Sequence, residues 1–283
     1  MDPVQYCRDK VAPPGSSLHY ALLFAPESAR HAALGLFTFQ RQVMDIALRS
    51  SDPAPRQAQL EWWRGELTRL IAGEPGHHAS ILLAEARRVH SLPQELFQEM
   101  LEASAMDCEA AVYPSYKDLS LYCHRKSATL WLLAAELWGY ADRQTVKFAH
   151  ELGTALELAR IVLELGQDCA RGQLYLPLDE VQSHGIDPEA LLSGQRPATL
   201  AELLRGQIAR AREHRAKAEE YLSARDRVAQ LPGLILAELQ FARLARLEAQ
   251  NFPALERTVE LSPLRKLWLA WRTARRARAQ ANA

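Results

Sequence analysis

Apolar residues recur at intervals of three to four positions along most of the chain, and this periodicity predicts helices nearly throughout. The alternation of apolar and polar residues that marks a half-buried strand is nearly absent. Residues 178–199 are predicted to be irregular. We predict a short apolar segment at 18–24, followed by helices at 27–49, 58–72, 79–90, 92–112, 145–168, 200–222, 231–250 and 263–283. The pattern therefore predicts an all-α protein.

The helix predicted at 145–168 is apolar around most of its circumference, so we expect it to be buried against neighbours on most sides. Charged residues follow one another along one face at spacings of three and four: Glu157, Arg160, Glu164, Asp168 and Arg171. Charges on a buried helix must face either one another or a wet cavity. The first alternative is a self-neutralising ladder of ion pairs, which two arginines among three acids favour. The second is a cavity wall on which Glu164 and Asp168 offer oxygens to a divalent cation that bridges a diphosphate.

The composition is that of an ordinary globular protein, with 283 residues, 48% of them hydrophobic, and a formal net charge of zero. The length suits one large domain or two small ones, and the balanced charge gives no reason to expect a nucleic-acid partner. No run approaches the length of a membrane-spanning helix, and no secretory leader opens the chain. The four cysteines are scattered without a CxxC pair, which favours free thiols in the cytoplasm. The adjacent His77 and His78 are expected to be exposed on a loop rather than to bind a metal.

The end of the ionic face has a particular pattern. Residues 168–177, DCARGQLYLP, resemble the second signature of the squalene/phytoene synthase family, NxxRDxxED followed by RRGRxYLP. The tail of the signature is close, but its head is altered, since Arg160 replaces the asparagine, Leu163 the arginine and Glu164 the first aspartate. Asp168 is retained at a metal-binding position. The resemblance implies that Glu164 and Asp168 are the candidate metal ligands and that Arg171 contacts substrate.

The first aspartate-rich signature of the family, YAFCRxxDDxxDE, aligns with residues 37–49. Arg41 matches, and the resemblance implies that it binds substrate. The two aspartates that hold magnesium in the family are replaced by Met44 and Leu48, whereas Asp45 lies about 100° around the helix from Met44. A thioether and an isobutyl group cannot replace carboxylates around a hard cation. We therefore predict a metal site that is weak or absent.

Three further positions follow from the resemblance. Ser17 is retained from a serine–phenylalanine pair near the diphosphate, although a helix cap explains it equally well. Tyr122 matches the tyrosine of the motif DLxxYCxxVAGxVG, which lies near the cationic intermediates and the leaving diphosphate, so it is the candidate catalytic residue. Trp131 replaces the second glycine of that motif. A tryptophan there would either plug the prenyl tunnel or line a shorter cavity.

The resemblance spans about residues 5–271 and implies the isoprenoid synthase fold, a single bundle of antiparallel helices around a central apolar cavity. We assign residues 1–262 to this domain and residues 263–283 to a basic amphipathic C-terminal helix. Active members of the family use magnesium to join two prenyl diphosphates head to head.

The C-terminal helix combines an apolar stripe with six basic residues and no acid among them. The stripe consists of Leu264, Leu267, Trp268, Trp271 and Ala274. Such a helix is typical of contact with an anionic membrane surface, which would make the protein peripheral at the inner membrane. The alternative is that Trp268 docks on the core and leaves a solvated basic end.

Two hypotheses for function remain. The first is a divergent, catalytically impaired protein that needs no cofactor and binds an isoprenoid or isoprenoid diphosphate, or acts as an assembly partner of another protein. The second is an active head-to-head prenyltransferase that uses Mg²⁺ held by Glu164, Asp168 and Asp45. Loss of metal ligands removes most of the stabilisation of a departing diphosphate, which favours the first.

Overall fold

A computed structural model gives the structure of the chain and describes residues 1–50, 52–109, 112–252 and 258–281. Across these ranges the chain is helical and forms no strand, which confirms the all-α prediction. One π turn, His124–Ala128, interrupts the series. The helices are α1 (Pro3–Val11), α2 (Ser17–Leu22), α3 (Glu27–Met44), α4 (Ile46–Arg49), α5 (Pro53–Ala72), α6 (His78–Ala86), α7 (Gln94–Cys108), α8 (Tyr116–Cys123), α9 (Thr129–Trp138), α10 (Gln144–Leu163), α11 (Leu165–Cys169), α12 (Leu178–Ser183), α13 (Pro188–Leu192), α14 (Leu200–Tyr221), α15 (Leu231–Ala249) and α16 (Pro263–Ala281).

Two predicted helices are each broken once. The segment predicted at 27–49 divides at Asp45 into α3 and α4, and the segment at 145–168 divides at Glu164 into α10 and α11. In a continuous helix, Arg160 and Asp168 would lie about 12 Å apart along the axis. The break at Glu164 is accompanied by a contact of 2.9 Å between them. Asp45 and Glu164, at which the two breaks fall, both line one cavity.

Two other expectations are corrected. Residues 178–199 are not irregular, because Pro177 and the capping carboxylate of Asp187 begin the short helices α12 and α13. His77 and His78 are half-buried rather than exposed. The Nδ1 atom of His77 accepts a hydrogen bond from the amide of Ala79 at the start of α6, so this ring has a structural role.

The helix α10 is the centre of the bundle, packed against α9, α14, α15 and the π turn. Its approach to the π turn is close at Gly153. A Cβ atom built on that glycine would lie 2.5 Å from the Cα of Ala128. A side chain at this position would therefore force the two backbones apart.

The C-terminal helix α16 packs against α15 and α2. It buries the face that contains Leu269, Ala270, Thr273, Ala274 and Ala277. The alternative in which Trp268 docks on the core is wrong, because 51% of this residue is exposed and Leu269 is buried instead. Small side chains on the buried face let α16 approach its neighbours closely, and the tryptophan-bearing face turns outward. Among the helices of the described ranges, none has an apolar stretch that could cross a bilayer.

Candidate functional site

Two adjoining cavities open beside α10, and they share Gln40, Arg41, Glu157 and Arg160 as lining residues. We call the first, of about 540 Å³, the ionic cavity, because ten of its lining residues are charged. They are Arg41, Asp45, Arg56, Asp107, Lys126, Glu157, Arg160, Glu164, Asp168 and Arg171. We call the second, of about 450 Å³, the apolar cavity. Its apolar lining includes Leu18, Phe37, Trp131, Leu156 and Leu236.

Arg160 is the centre of the α10–α11 wall of the ionic cavity. Its Nε donates to Glu157 at 2.8 Å, and one terminal nitrogen donates to Glu164 at 3.2 Å and to Asp168 at 2.9 Å. Arg171 lies 3.6 Å from the other oxygen of Asp168. The structure thus contains the ladder of ion pairs that the spacing favours.

Burial sets the electrostatics of this wall. Glu157 and Asp168 are nearly inaccessible to solvent. Burial raises the pKa of the Asp168 carboxyl, and the nearby guanidinium of Arg160 opposes that shift. Burial would lower the pKa of Arg160, but Glu157, Asp168 and Glu164 hold it well above its ordinary value. Arg160 is therefore a permanent positive charge inside the site.

A second cluster lies at the base of the ionic cavity around Asp107, from α7. One carboxylate oxygen accepts hydrogen bonds from the phenols of Tyr122 and Tyr175, each at 2.6 Å. The other oxygen accepts from the ammonium of Lys126 at 3.1 Å, and that ammonium lies 4.0 Å from Glu157. Burial, and then the charge of Asp107, raise the pKa of both phenols, so both remain protonated donors.

The π turn positions Lys126 at this cluster. A π turn has one residue more than an α-helical turn and is frequent at functional sites. It falls at His124–Ala128, between α8 and α9, and its middle residue is Lys126. The ammonium also contacts the Tyr122 hydroxyl and lies 5.1 Å from the Tyr175 ring centre. Lys126 thus links the aromatic pair to both acids.

The α3–α4 wall faces this arrangement with few ionic contacts. Arg41 and Asp45 form an ion pair at 2.9 Å near the surface. Met44 is buried, whereas Leu48 is 51% exposed at the cavity edge. Arg56, from α5, donates to the main-chain oxygens of Ser50, Ala47 and Cys108. The wall offers no side-chain oxygen at positions 44 and 48.

Trp131 closes one side of the apolar cavity. Its ring meets Phe37 edge-on, with centroids 6.0 Å apart, and lies 5.8 Å from the ring of Trp138. A Cβ atom on Gly233 would lie 3.1 Å from the Trp131 ring. The absence of a side chain at Gly233 thus leaves space for the indole, which occupies volume that a glycine at 131 would leave open.

Most of the residues predicted for the site line one of the two cavities. Arg41, Glu164, Asp168 and Arg171 border the ionic cavity with the substituted positions Met44 and Leu48, and Ser17, Arg41 and Trp131 border the apolar cavity. Tyr122 is fully buried behind this surface and is a lining residue of neither cavity.

Sequence reasoning missed Asp107 and Lys126 as site residues. One signal was available for Lys126, because it stands at the valine of the motif DLxxYCxxVAGxVG. A lysine in place of valine on a buried segment requires a charged partner. No spacing pattern identifies Asp107 as that partner, because it is 19 residues away and on another helix.

The side chains of the α10–α11 wall and of the Asp107 cluster do not fit a magnesium ion. Mg²⁺ requires near-octahedral oxygen coordination, usually by one or two carboxylates together with phosphates and water. The carboxylates of the α10–α11 wall accept from Arg160, and Asp107 accepts from three donors. Within the described ranges, no three His, Cys, Asp or Glu side chains are grouped to hold a metal.

Comparison with known proteins gives consistent results. The family profile described as "Squalene/phytoene synthase" matches residues 11–265. The presqualene diphosphate synthase of Rhodopseudomonas palustris is 28% identical over 258 residues, which cover 89% of this chain and 91% of that protein. The presqualene diphosphate synthase of Zymomonas mobilis subsp. mobilis is 30% identical, with coverage of 89% and 87%.

Among solved structures, a dehydrosqualene synthase in complex with ligand superposes with a TM-score of 0.85. The superposition covers 98% of this chain and 97% of that one, at 19% identity. This likeness concerns the fold alone, and it confirms the predicted isoprenoid synthase fold.

Proposed function

We propose that this chain, which belongs to the squalene/phytoene synthase family, binds an isoprenoid in its adjoining cavities without ionising a diphosphate through magnesium. The observation that supports this proposal is the pairing of Glu157, Glu164 and Asp168 with Arg160. A carboxylate that holds a guanidinium has fewer lone pairs left for a metal ion, and the positive charge beside it repels a cation. The apolar cavity beside it has the lining that a prenyl chain needs.

The size of the stabilisation that a metal ion normally gives to a leaving diphosphate supports impaired catalysis. A metal ion that stabilises a leaving diphosphate contributes several kcal/mol to catalysis. Loss of about 4 kcal/mol of that stabilisation slows a reaction about a thousandfold. Met44, Leu48 and Arg160 stand where the family signatures have two aspartates and an asparagine, so we expect turnover to be lost.

The test is turnover of farnesyl and geranylgeranyl diphosphate with Mg²⁺, with the Zymomonas mobilis relative as the positive control. We expect no squalene, phytoene or presqualene diphosphate from this chain. Mass spectrometry of lipid extracted from the purified protein should identify a co-purifying isoprenoid. Product formed at the rate of the control would show that the proposal is wrong.

The alternative function is an active head-to-head prenyltransferase, and the relatives named presqualene diphosphate synthase favour it. Its unusual metal site would use Asp45, Glu164 and Asp168, which all line the ionic cavity. Tyr122 would be its catalytic residue. Magnesium should then raise the affinity for a non-hydrolysable farnesyl diphosphate analogue at least tenfold, which is the usual scale of strong coupling.

We further propose that α16 rests on an anionic membrane surface, which makes the protein peripheral on the cytoplasmic side of the inner membrane. The outward face of α16 exposes four large apolar side chains: Leu264, Leu267, Trp268 and Trp271. Arg272 stacks on Trp268 at 4.6 Å, and Arg275 on Trp271 at 5.6 Å. Tryptophan beside arginine suits the boundary between acyl chains and anionic headgroups.

Vesicle flotation tests this contact. The protein should float with phosphatidylglycerol vesicles more than with phosphatidylcholine vesicles, and the pair Trp268→Ala and Trp271→Ala should abolish flotation. Trp62→Ala is the matched control, because Trp62 is a similarly exposed tryptophan on α5. Flotation that survives the double substitution contradicts the proposal. Capture of a protein partner by α16 in place of vesicles would support the assembly-partner hypothesis.

A further inference from the structure

The charges that line the ionic cavity balance. Five cations and five acids line it, so the described lining has no net charge when all ten are ionised. The cations are Arg41, Arg56, Lys126, Arg160 and Arg171, and the acids are Asp45, Asp107, Glu157, Glu164 and Asp168. A ligand that brings several negative charges would therefore find only one surplus cation at the two cavities, Lys10 of the apolar cavity.

The inner cations are also held in place. Lys126 is attached to Asp107 at 3.1 Å and lies 4.0 Å from Glu157. Arg160 is attached to Glu157, Glu164 and Asp168. Releasing either cation to a diphosphate would leave a buried carboxylate without its partner, which is strongly unfavourable.

Arg171 and Arg160, which both line the ionic cavity, each have a donor that is incompletely used. Arg171 is 43% exposed and lies 3.6 Å from its partner, which is a loose ion pair. The Nη2 atom of Arg160 is buried without a hydrogen-bond partner in the structure. Arg160 lines both cavities, and an oxygen at the head of a prenyl chain that reached this enclosed atom would satisfy the donor.

We propose that the ligand of this site is a prenyl compound with a neutral or singly charged oxygen head, an alcohol or a carboxylate, bound without metal. This inference rests on the proposed isoprenoid-binding function and specifies its ligand class. The prenyl chain lies in the apolar cavity against Trp131 and Phe37. The head lies at the junction of the cavities, where Arg160 Nη2 donates to it and Arg171 faces a carboxylate.

The experiment is calorimetric titration of the full chain with farnesol, farnesoic acid and the unreactive farnesyl thiodiphosphate, each with EDTA and with Mg²⁺. We expect farnesol or farnesoic acid to bind at least tenfold more tightly than the thiodiphosphate, with no effect of Mg²⁺. Equal or tighter binding of the thiodiphosphate overturns the inference but leaves the proposed isoprenoid binding intact. If none of the three binds, the proposed function itself fails.

A substitution at Arg171 distinguishes between an alcohol and a carboxylate as the head of the ligand. Arg171→Gln should reduce the affinity for farnesoic acid relative to farnesol about tenfold, because the guanidinium faces only the charged head. Arg64→Gln is the control, because Arg64 forms ion pairs with Glu61 and Glu102 outside both cavities and should leave the ratio unchanged. An unchanged ratio in Arg171→Gln overturns the assigned place of the head.

Discussion

The two walls of the ionic cavity differ in how far their side chains depend on one another. On the α10–α11 wall, one guanidinium holds three carboxylates, two of them buried. On the α3–α4 wall, Arg41 and Asp45 form one ion pair near the surface, and Leu48 is half exposed. A charge on the first wall cannot change without affecting its neighbours. Side chains on the second wall have fewer charged partners, and Met44 and Leu48 stand there at the two positions where the family signature has aspartates.

Arg160→Leu tests the dependence on the first wall and should have the largest effect. It leaves the buried Glu157 and Asp168 with only their longer contacts to Lys126 and Arg171, at a cost of about 3–5 kcal/mol in the free energy of unfolding. Adding Glu157→Gln and Asp168→Asn to the same chain should recover much of that loss, because the only carboxylate left without Arg160 is then the partly exposed Glu164. Urea denaturation of both variants measures the difference. A single variant as stable as the parent would show that the ladder faces water.

Gly153→Ala tests whether α10, which carries most of the first wall, is held rigidly against the π turn. A methyl group there would overlap the backbone of Ala128 in the π turn, and such overpacking costs about 1–3 kcal/mol. Gly206→Ala, in the open middle of α14, is the matched control and should stabilise by about 0.5–1 kcal/mol. Thermal melts compare the two. If both substitutions stabilise, the close packing of α10 on the π turn is not rigid.

The stability of the folded protein should also depend on pH through His150 on α10. Burial, and then the neighbouring His124, lower the pKa of His150, while Glu151 opposes and His214 adds to the shift. The folded state therefore favours the neutral ring. This stabilisation is present above the ordinary pKa of 6.5 and is lost as pH falls through the lowered value.

The melting temperature should consequently fall between about pH 7 and pH 5, and His150→Gln should reduce that fall. His31→Gln, at an exposed site on α3, is the control and should behave like the parent. A parent melting temperature that does not change across this range would contradict the expectation.

Leu48→Asp tests the second wall and should have the smallest effect. Because the side chain is half exposed, the change in unfolding free energy should stay within about 0.5 kcal/mol. A loss above about 2 kcal/mol, measured by urea denaturation, would show that the α3–α4 wall is as interdependent as the α10–α11 wall.

The sequence predicted those features that depend on neighbours along one helix. The ladder from Glu157 to Arg171 follows from spacings of three and four, and the order of the long helices follows from apolar periodicity. The contact between Arg160 and Asp168 was not predicted, because the two residues are eight positions apart and the spacing rule covers only neighbours three or four positions apart. The buried face of α16 was also missed, because periodicity marks Trp268 and Ala274 alike. Because α16 packs closely against its neighbours, the smaller side chain, Ala274, is the one that is buried.

The cluster around Asp107 depends on the meeting of distant parts of the chain. Asp107, Lys126 and Tyr175 come from α7, the π turn and the segment after α11. No local spacing connects them. The lysine at position 126, where the family motif has valine, indicates that a charged partner lies nearby. Only the packing of the three elements shows which residues are its partners.

The enclosure of Arg160 has a consequence for behaviour at high ionic strength. Dissolved ions screen charges that they can approach, with a Debye length of about 3 Å at 1 M salt, but they screen buried pairs much less. The pairs of Arg160 with Glu157 and Asp168 lie within the protein, whereas the pair of Arg212 with Glu248 lies at the surface. Concentrated salt should therefore weaken the attraction between α14 and α15 at that surface pair, while the charges that shape the cavity keep their mutual attraction.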